Sequence, residues 1–392
     1  MTPLPRMVFT LGLGALLLVT RAHAGLDDHT LDIYWNDVEG GGATLIVTPA
    51  GESILIDSGS PGARDAGRIA KTALEVAHLK KIDRYITTHF HGDHFGGIAT
   101  LSEIIPIGQV YERAIPDKDP DGGNADADAR WQTASQPYRT FKSDQRNRLK
   151  AGDTIPLKPL PTGPGMLPLS LRTIAGDKQF IDAPAGAPKN PLADQLVHHD
   201  LVPTDNDNSL AFVLDFGPFR FWDGGDLTWN FEGQVVTPVN RVGQVDVYQV
   251  DHHGLDFSNN PVLIHSLAPT VSVMNNGATK GTAKSTIDGL KSSPGIQAMY
   301  QLHKNTRTGE AANNTSDEFI ANGGSATDQP DGNFIKLSVA PDGKSYTITI
   351  PATGHKKTYE TRVVKTAPTA APPAASSPAL NPQPQAPAIS IK

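Results

Sequence analysis

A run of metal-ligand side chains constrains this chain more than any other feature of its sequence. Three imidazoles and one carboxylate fall within a few positions of each other, at His89, His91, Asp93 and His94. The segment 81–87 before them has the apolar content of a short strand, and a helix-like stretch follows from Ile98. The run therefore lies on a strand-to-helix loop, where a rigid scaffold presents functional groups. Imidazole and carboxylate suit zinc and similar divalent ions, so the loop predicts a metal site.

Bulk composition limits the class of protein. The chain has 392 residues, of which 38% are hydrophobic and 19% are charged, and this is enough for one large domain or two small ones. A net charge of −7 gives no general attraction to nucleic acid or to an anionic membrane, so we expect no stable nucleic-acid partner. The sequence has no cysteine, which excludes a thiolate nucleophile and a cysteine ligand for zinc.

The first 24 residues are typical of a signal peptide. Arg6 precedes an apolar run, 7–20, that is too short to span a membrane. Ala22-His23-Ala24 then places small residues where a signal peptidase reads them. We expect cleavage after Ala24 and export to the periplasm or the medium, with an uncleaved membrane anchor as the alternative. Residues 366–392 are rich in Ala and Pro and predict a disordered tail.

Between these ends, strand-like and helix-like segments alternate. Residues 43–48 and 53–57 flank a Pro-Ala-Gly-Glu turn and predict a hairpin, and apolar spacing predicts a helix over 63–80. Residues 113–205 are acidic in part and Pro-rich in part, and predict a long irregular insertion. Further strands are predicted at 209–216, 219–223, 245–250, 270–274, 296–302, 334–339 and 346–350. This alternation indicates one α/β layered domain over residues 25–365.

Three other strand ends carry plausible metal ligands. Asp57 closes one predicted strand, and Asp226 follows another strand after two glycines that allow close backbone approach. His252 and His253 follow a third predicted strand. Because each group follows a strand, all of them can converge with the His89–His94 run on one edge of a sheet.

This set of motifs resembles the metallo-β-lactamase superfamily in its hydrolytic branch. The His-x-His-x-Asp-His signature is complete at residues 89–94, and Asp57, Gly225-Asp226 and His253-Gly254 fall in the family's order. The segments 35–41 and 251–254 look like the branch that contains the metal domain of competence proteins and the phosphocholine esterases. The resemblance implies a four-layer αβ/βα sandwich of the α/β class and a site for two divalent metal ions, zinc or manganese.

The resemblance also implies a role for each ligand. The first ion would be held by His89 and His91, the second by Asp93, His94 and His253, and both by Asp226. Asp57 would accept a hydrogen bond from a ligand imidazole and so fix its tautomer. His252 is less favoured as a ligand than its neighbour, and we assign it to the surroundings of the site or to substrate contact.

The sequence departs from the family where a third histidine for the first ion is expected, just before Ser209. That slot reads Asp207-Asn208. The first ion would then be weakly held, be completed by Asp207 or water, or be manganese rather than zinc. His198 and His199, about ten residues upstream, are an alternative source of the missing imidazole.

The implied chemistry is hydrolysis by a metal-bound hydroxide. A divalent ion lowers the pKa of bound water toward ~7, and two ions roughly 3.5–4 Å apart can share that hydroxide and bind the substrate. The catalytic groups would be Asp93, Asp226 and His303. His303 would protonate a leaving group or contact substrate, and a surface histidine is the equally favoured alternative.

The branch resemblance favours a small anionic ester, a phosphodiester or phosphoester, as substrate. The basic residues within 139–150 would support an anionic substrate if they overhang the site, although a solvated helix face is the default interpretation. A lactone or amide bond, and a non-catalytic binding module with a weakened metal site, stay open as alternatives.

Overall fold

The computed structural model describes residues 25–160, 167–323 and 332–362. The predicted signal peptide and the predicted tail lie outside the described residues. In the described part of the chain, no helix is both long enough and apolar enough to cross a bilayer. The strands are, in chain order, β1 (Leu31–Trp35), β2 (Thr44–Val47), β3 (Ser53–Ile56), β4 (Ile82–Thr87), β5 (Ile107–Glu112), β6 (Gln145–Arg148), β7 (Leu169–Gly176), β8 (Gln179–Phe180), β9 (Ala211–Phe216), β10 (Phe219–Asp223), β11 (Val247–Val250), β12 (Val271–Met274), β13 (Ala298–His303), β14 (Ile320–Asn322), β15 (Ile335–Val339), β16 (Ser345–Ile350) and β17 (His355–Glu360). The α-helices are α1 (Ala63–Lys71), α2 (Gly92–Phe95), α3 (Ile98–Ile104), α4 (Ala125–Thr140), α5 (Trp229–Val236), α6 (Pro261–Leu267) and α7 (Lys284–Lys291).

The strands form two mixed sheets. The first sheet runs β17-β16-β15-β1-β2-β3-β4-β5-β6, and the second runs β14-β13-β12-β11-β10-β9-β7-β8. Strands β3 to β6 are parallel neighbours in the first sheet, and β10 to β14 are parallel neighbours in the second. Parallel neighbours end at the same edge of a sheet. The loops that follow β3 and β4, and those that follow β10 and β11, therefore open together at one edge of each sheet.

The main hydrophobic core lies between the two sheets. It joins residues of the first sheet, such as Ile33 and Ile46, to residues of the second, such as Phe212 and Val271. Helices α1, α3 and α4 pack on the outer face of the first sheet, and α5, α6 and α7 pack on the outer face of the second. This confirms the predicted four-layer αβ/βα sandwich. Because central strands such as β3 and β11 are covered on both faces, every residue in them is buried rather than every second one.

Several predicted elements differ from the observed ones. The hairpin β2–β3 is confirmed, but the helix predicted over 63–80 ends at Lys71 and continues as a wider turn, Thr72–Val76, in which Ala77 N–H donates to the Thr72 carbonyl. The segment 113–205, predicted as irregular, contains the 16-residue helix α4. Its start is fixed by Asn124, whose side chain accepts hydrogen bonds from two backbone N–H groups of the first turn.

The basic residues of 139–150 do not form one helix face. They divide between the end of α4 and strand β6, which extends the first sheet at its edge. Arg146 of β6 contacts both carboxylate oxygens of Glu112 on β5, at 3.0 and 3.1 Å. At least one charge of this cluster, that of Arg146, therefore links two strands of the sheet rather than contacting a substrate.

A buried carboxyl group ends β10. Asp223 is 1% exposed, and its Oδ1 accepts a hydrogen bond from the Gly225 N–H at 3.0 Å. Burial raises the pKa of Asp223 to about 7, although the Gly225 N–H opposes the shift. The folded state therefore binds a proton at Asp223 that the unfolded chain releases near pH 4. This proton stabilises the fold below about pH 4, and its contribution is lost as the pH rises through about 7.

We expect Asp223→Asn to flatten the pH dependence of stability in metal-free protein. Wild-type protein should lose unfolding free energy as the pH rises from about 5 to 8, and the variant should lose up to ~1.4 kcal/mol less per pH unit. Urea unfolding after chelation measures this slope. Asp215→Asn, on the neighbouring strand β9 and partly exposed beside Arg220, serves as the control. Equal slopes in wild type and Asp223→Asn would refute the assignment.

Candidate metal centre

One carboxylate oxygen lies at the centre of a group of buried histidines. Asp226 Oδ2, on the loop after β10, is 3.2 Å from the Nε2 atoms of both His94 and His253. It is 3.5 Å from His252 Nε2 and 3.9 Å from His89 Nε2. These histidines follow β4 and β11, so the two sheets bring together residues that the sequence predicted from separate strand ends.

Backbone geometry permits this close approach. Gly225 adopts a left-handed φ of 56°, and a Cβ atom there would lie 3.0 Å from Thr88 Cβ. The turn before Asp226 therefore fits against the end of β4 only because residue 225 is glycine. His252 and His253 have φ values of 51° and 57°, which is a strained conformation for side chains other than glycine. Such strain is maintained only where the surrounding structure requires it, and it turns both imidazoles toward Asp226.

Each of these four histidines has its other ring nitrogen engaged. His94 Nδ1 lies 2.7 Å from Asp57 Oδ2, and His253 Nδ1 lies 3.2 Å from the Asn275 carbonyl oxygen. His252 Nδ1 lies 3.1 Å from Ser258 Oγ, and His89 Nδ1 lies 3.1 Å from Thr88 Oγ1. When Nδ1–H donates in these contacts, the lone pair is at Nε2, facing Asp226. Asp57 thus lies where the resemblance placed it, and Ser258 and Thr88 are partners that the sequence did not reveal.

The donor atoms fit a divalent ion. Ligand bonds of about 2.0–2.1 Å at tetrahedral angles place neighbouring donors about 3.3 Å apart. The three distances among His94 Nε2, His253 Nε2 and Asp226 Oδ2 are 3.1, 3.2 and 3.2 Å. Asp93 Oδ2 is 3.6 Å from His253 Nε2. These four residues are the ones predicted to contact the second ion. Within each of two sets of three residues, the donor atoms all lie within 4.8 Å of one another: His89-His94-Asp226 and Asp93-His94-His253.

Without an ion, the histidines carry opposite pKa shifts. Burial lowers the pKa of His89 well below its ordinary value, and the positive charge of His94 adds to that effect. Burial also opposes charging of His94, but the carboxylates of Asp226, Asp57 and Asp93 together raise its pKa well above the ordinary value. An incoming ion therefore has to displace a proton from His94.

His91 is held differently from the other histidines. Its Nε2 is 3.0 Å from both oxygens of Asp121, and its ring centroid is 4.7 Å from that of His89. Asp121 also accepts the Asp205 N–H at 2.7 Å, which fixes the carboxylate. Asp121 raises the pKa of His91 although burial opposes the rise. If His91 binds an ion, it does so through Nδ1, with Asp121 fixing the tautomer. Asp121 lies in the predicted insertion, where no sequence motif indicated that it would contact His91.

The residues predicted to replace the missing histidine point elsewhere. Asp207 Oδ1 accepts a hydrogen bond from Thr228 Oγ1 at 2.6 Å, and its Oδ2 is 3.4 Å from Lys178 Nζ. Asn208 donates to Asp205 Oδ1 at 3.2 Å. His198 and His199 are exposed, and the His199 ring stacks on Trp229 at a centroid distance of 4.0 Å. The structure therefore does not support Asp207, His198 or His199 as the completing ligand, and a role of Asn208 in the surroundings of the site or in substrate contact stays a prediction.

The structure also corrects the role predicted for His303. Its side chain is 1% exposed, and Nε2 lies 2.6 Å from Asp37 Oδ1 and 3.6 Å from Glu39 Oε2. Arg68 Nη1 contacts the same two carboxylates at 3.0 and 3.1 Å. Although the donor atoms of Asp37, Glu39 and His303 lie close together, the Arg68 guanidinium already forms an ion pair with each of the two carboxylates. His303 therefore belongs to a buried ion-pair network and is not placed to protonate a leaving group.

A lysine that sequence reasoning missed borders the ligands. Lys280 Nζ lies 2.6 Å from Asp93 Oδ2, and the lysine side chain is 34% exposed. Lys280 is on the loop after β12, a few residues beyond Asn275, whose carbonyl oxygen contacts His253. The lysine therefore places a solvent-accessible positive charge at the margin of the candidate centre.

Comparisons with known proteins identify the superfamily. Residues 37–213 match the family model described as the metallo-beta-lactamase superfamily. The match is to the superfamily, so the resemblance to one branch stays a prediction. A search of curated proteins finds no match.

Many solved structures are similar to this chain, and three of them illustrate the range. A protein of Parabacteroides distasonis assigned to the metal-dependent hydrolases is 16% identical, with 69% of this chain and 92% of that chain covered and a TM-score of 0.36. The diiron beta-hydroxylase CmlA from Streptomyces venezuelae is 14% identical (62% and 44% covered, TM-score 0.34). A diphosphatase of the PhnP family is 12% identical (68% and 94% covered, TM-score 0.35).

We expect Asp121→Asn to weaken the binding of one divalent ion by about 10- to 100-fold, because an uncharged amide oxygen accepts the His91 Nε2–H more weakly than a carboxylate and makes the imidazole a poorer ligand. Titration of chelator-stripped protein with Zn²⁺ against a competing indicator measures the affinity. Asp126→Asn, an exposed acid in the first turn of α4, is the matched control and should bind as wild type does. Wild-type affinity in Asp121→Asn would exclude a positioning role for Asp121.

Proposed function

We propose that this metal-dependent hydrolase, whose residues 37–213 belong to the metallo-beta-lactamase superfamily, cleaves ester-type bonds in small anionic substrates. Phosphodiesters and phosphoesters are the first choice. The observation that carries the proposal is the group of four imidazole Nε2 atoms within 3.9 Å of the single oxygen Asp226 Oδ2. No side chain of this group is a nucleophile of the serine or cysteine type, so the group is suited to activating water.

The contacts around Asp226 differ in length. The donor atoms of His94, His253 and Asp93 lie close together, and His89 and His252 provide the longer contacts to Asp226. We therefore propose that these residues would hold two divalent ions, zinc or manganese, with Asp226 as a donor that both could use. Such ions supply an activated water at neutral pH and polarise the bond to be cleaved. The protein's own contribution is to fix the ligand tautomers through Asp57, Thr88 and the Asn275 carbonyl, so that little reorganisation is needed.

Lys280 supports an anionic substrate. Its ammonium group is partly exposed and contacts Asp93, a carboxylate whose pKa is lowered by His94 and Lys280 although burial opposes that shift. An oxygen of a phosphate group that approaches Asp93 therefore meets a positive charge at the rim. Lysine binds phosphate as a point charge, without the fixed geometry that arginine imposes.

A neutral substrate with an apolar part is the second candidate. Phe257 is 52% exposed, and its ring centroid lies 6.2 Å from that of His252. An exposed phenyl ring beside the ligands is suited to the hydrocarbon part of a lactone or amide. We place the protein in the periplasm or outside the cell, on the N-terminal sequence pattern alone, with a small molecule rather than nucleic acid as its partner.

A substrate screen tests the reaction class. We expect hydrolysis of bis-para-nitrophenyl phosphate to exceed that of an acyl lactone and a chromogenic cephalosporin in zinc- or manganese-loaded protein. Asp226→Asn should reduce turnover to near the uncatalysed rate while circular dichroism stays unchanged, because the negative charge of the central carboxylate is lost but the side-chain shape is kept. Full activity in Asp226→Asn would disprove the role of this carboxylate. Preferred turnover of the lactone would favour the second candidate.

Substitution of Lys280 tests the anionic part of the proposal. Lys280→Met should raise KM for the phosphodiester by about tenfold, as expected for one lost ion pair, and leave KM for a neutral lactone nearly unchanged. The control is Lys284→Met, because Lys284 is 76% exposed and pairs with Asp288 on α7. Equal effects of the two substitutions would show that Lys280 does not contact substrate.

A further inference from the structure

We infer that Asn206 and His252 complete the donor set of the first ion, in the slot where the resemblance led us to expect a histidine. The inference rests on the proposed two-ion function. The sequence placed His252 only in the surroundings of the site or in substrate contact, and it did not single out Asn206 as a ligand. It is carried by three contacts among buried side chains.

His252 presents a nitrogen to the centre. Its Nε2 lies 3.5 Å from Asp226 Oδ2, close to the separation of two ligands on one ion. Its Nδ1 is engaged by Ser258 Oγ at 3.1 Å, which leaves Nε2 as the coordinating atom. The left-handed backbone of His252 maintains this orientation. A residue without such a role could adopt a relaxed backbone instead.

Asn206 is the one residue of the turn Asp205–Asn208 whose side chain contacts a histidine of the centre. Asp205 accepts the Phe90 N–H, and Asp207 and Asn208 are engaged by Thr228 and Asp205. Asn206 Nδ2 lies 3.3 Å from His252 Nε2, and Asn206 is 6% exposed. Among the described residues, Asn206 Oδ1 is buried without a hydrogen-bond partner.

An ion explains both features of Asn206. A half-turn about the Cβ–Cγ bond exchanges the two amide atoms of Asn206. The carbonyl oxygen then takes the position 3.3 Å from His252 Nε2, and the amide nitrogen takes the position at which the oxygen has no hydrogen-bond donor. That distance matches two donors on one tetrahedral or octahedral ion. His89 Nε2 is likewise buried without a partner in the described part of the chain, and it faces Asp226 at 3.9 Å. An unpaired buried nitrogen and an unpaired buried oxygen are costly unless a cation binds them.

The resulting donor set predicts which ion prefers the site. His89 and His252 supply nitrogen, Asn206 and Asp226 supply oxygen, and His91 can add a fifth donor through Nδ1. With this fifth donor the first site exceeds the four donors of tetrahedral Zn²⁺, and it is therefore better suited to Mn²⁺. The second site, with two imidazoles and carboxylates at tetrahedral spacing, is better suited to Zn²⁺. The two sites should therefore differ in their preference for the two ions.

Metal titration of the full chain tests the assignment without reference to activity. Chelator-stripped protein is titrated with Mn²⁺ and with Zn²⁺ by calorimetry, and bound ions per chain are counted by mass spectrometry. Wild-type protein should bind two ions. Asn206→Ala and His252→Ala should each weaken the Mn²⁺-preferring site by at least about tenfold, Asn206→Asp should restore it through its carboxylate oxygen, and His253→Ala should instead remove the other ion.

Controls separate coordination from folding. Asn208→Ala removes a neighbouring amide that bonds only to Asp205 in the contacts described above, and both of its ions should stay bound. Urea unfolding of each stripped variant confirms that it is folded. If Asn206→Ala and His252→Ala both bind two ions with wild-type affinity, this ligand assignment is overturned but the two-ion function is not. One ion in wild type, lost in His253→Ala but kept in Asn206→Ala, overturns the two-ion function and this assignment with it.

Discussion

The Asp57 carboxylate is the contact on which the rest of the metal centre depends. Its Oδ2 bonds to His94 Nδ1 and to the Thr88 hydroxyl, both at 2.7 Å, and its Oδ1 accepts the Thr88 N–H at 2.8 Å. Since Thr88 Oγ1 also meets His89 Nδ1, one carboxylate fixes the tautomers of two histidines. A side chain at residue 42 would disturb this contact, because a Cβ on Gly42 would lie 2.8 Å from His94 Nδ1 and 2.9 Å from Asp57 Oδ2. The glycine at 42 is thus part of the site.

The fold and the main ligands could be predicted because both depend on local pattern. Strand-like segments indicated the layers, and ligands at the ends of parallel strands converge for topological reasons. Asp121, Lys280 and Asn206 could not be predicted, because each meets its histidine or aspartate across loops, at separations of 30, 187 and 46 positions along the chain. His303 was assigned a wrong role for the same reason. Its true partner, Asp37, is 266 positions away and offers no sequence signal that pairs the two.

Charge explains why this region requires cations. Asp57, Asp93 and Asp226 all contact histidines of the same group. Asp57 and Asp226 are each only 3% exposed. Lys280 contacts only Asp93 among them in the contacts described. Buried carboxylates are costly unless they are paired, and the protonated histidines that pair them in acid are neutral when they act as ligands. The buried network of Asp37, Glu39 and Arg68 shows the contrasting solution, in which the protein supplies its own cation.

The position of the ligands along the chain has a consequence for maturation. His94 and His253 face each other at 3.1 Å although 159 positions separate them, and they belong to different sheets. Ions held between them would join the two halves of the sandwich, in a chain that has no cysteine to form a covalent link. Because such ions bind the native state in preference to the unfolded one, its population would rise with the concentration of free metal. Metal supply would then act as a checkpoint on how much stably folded protein accumulates, before any substrate is met.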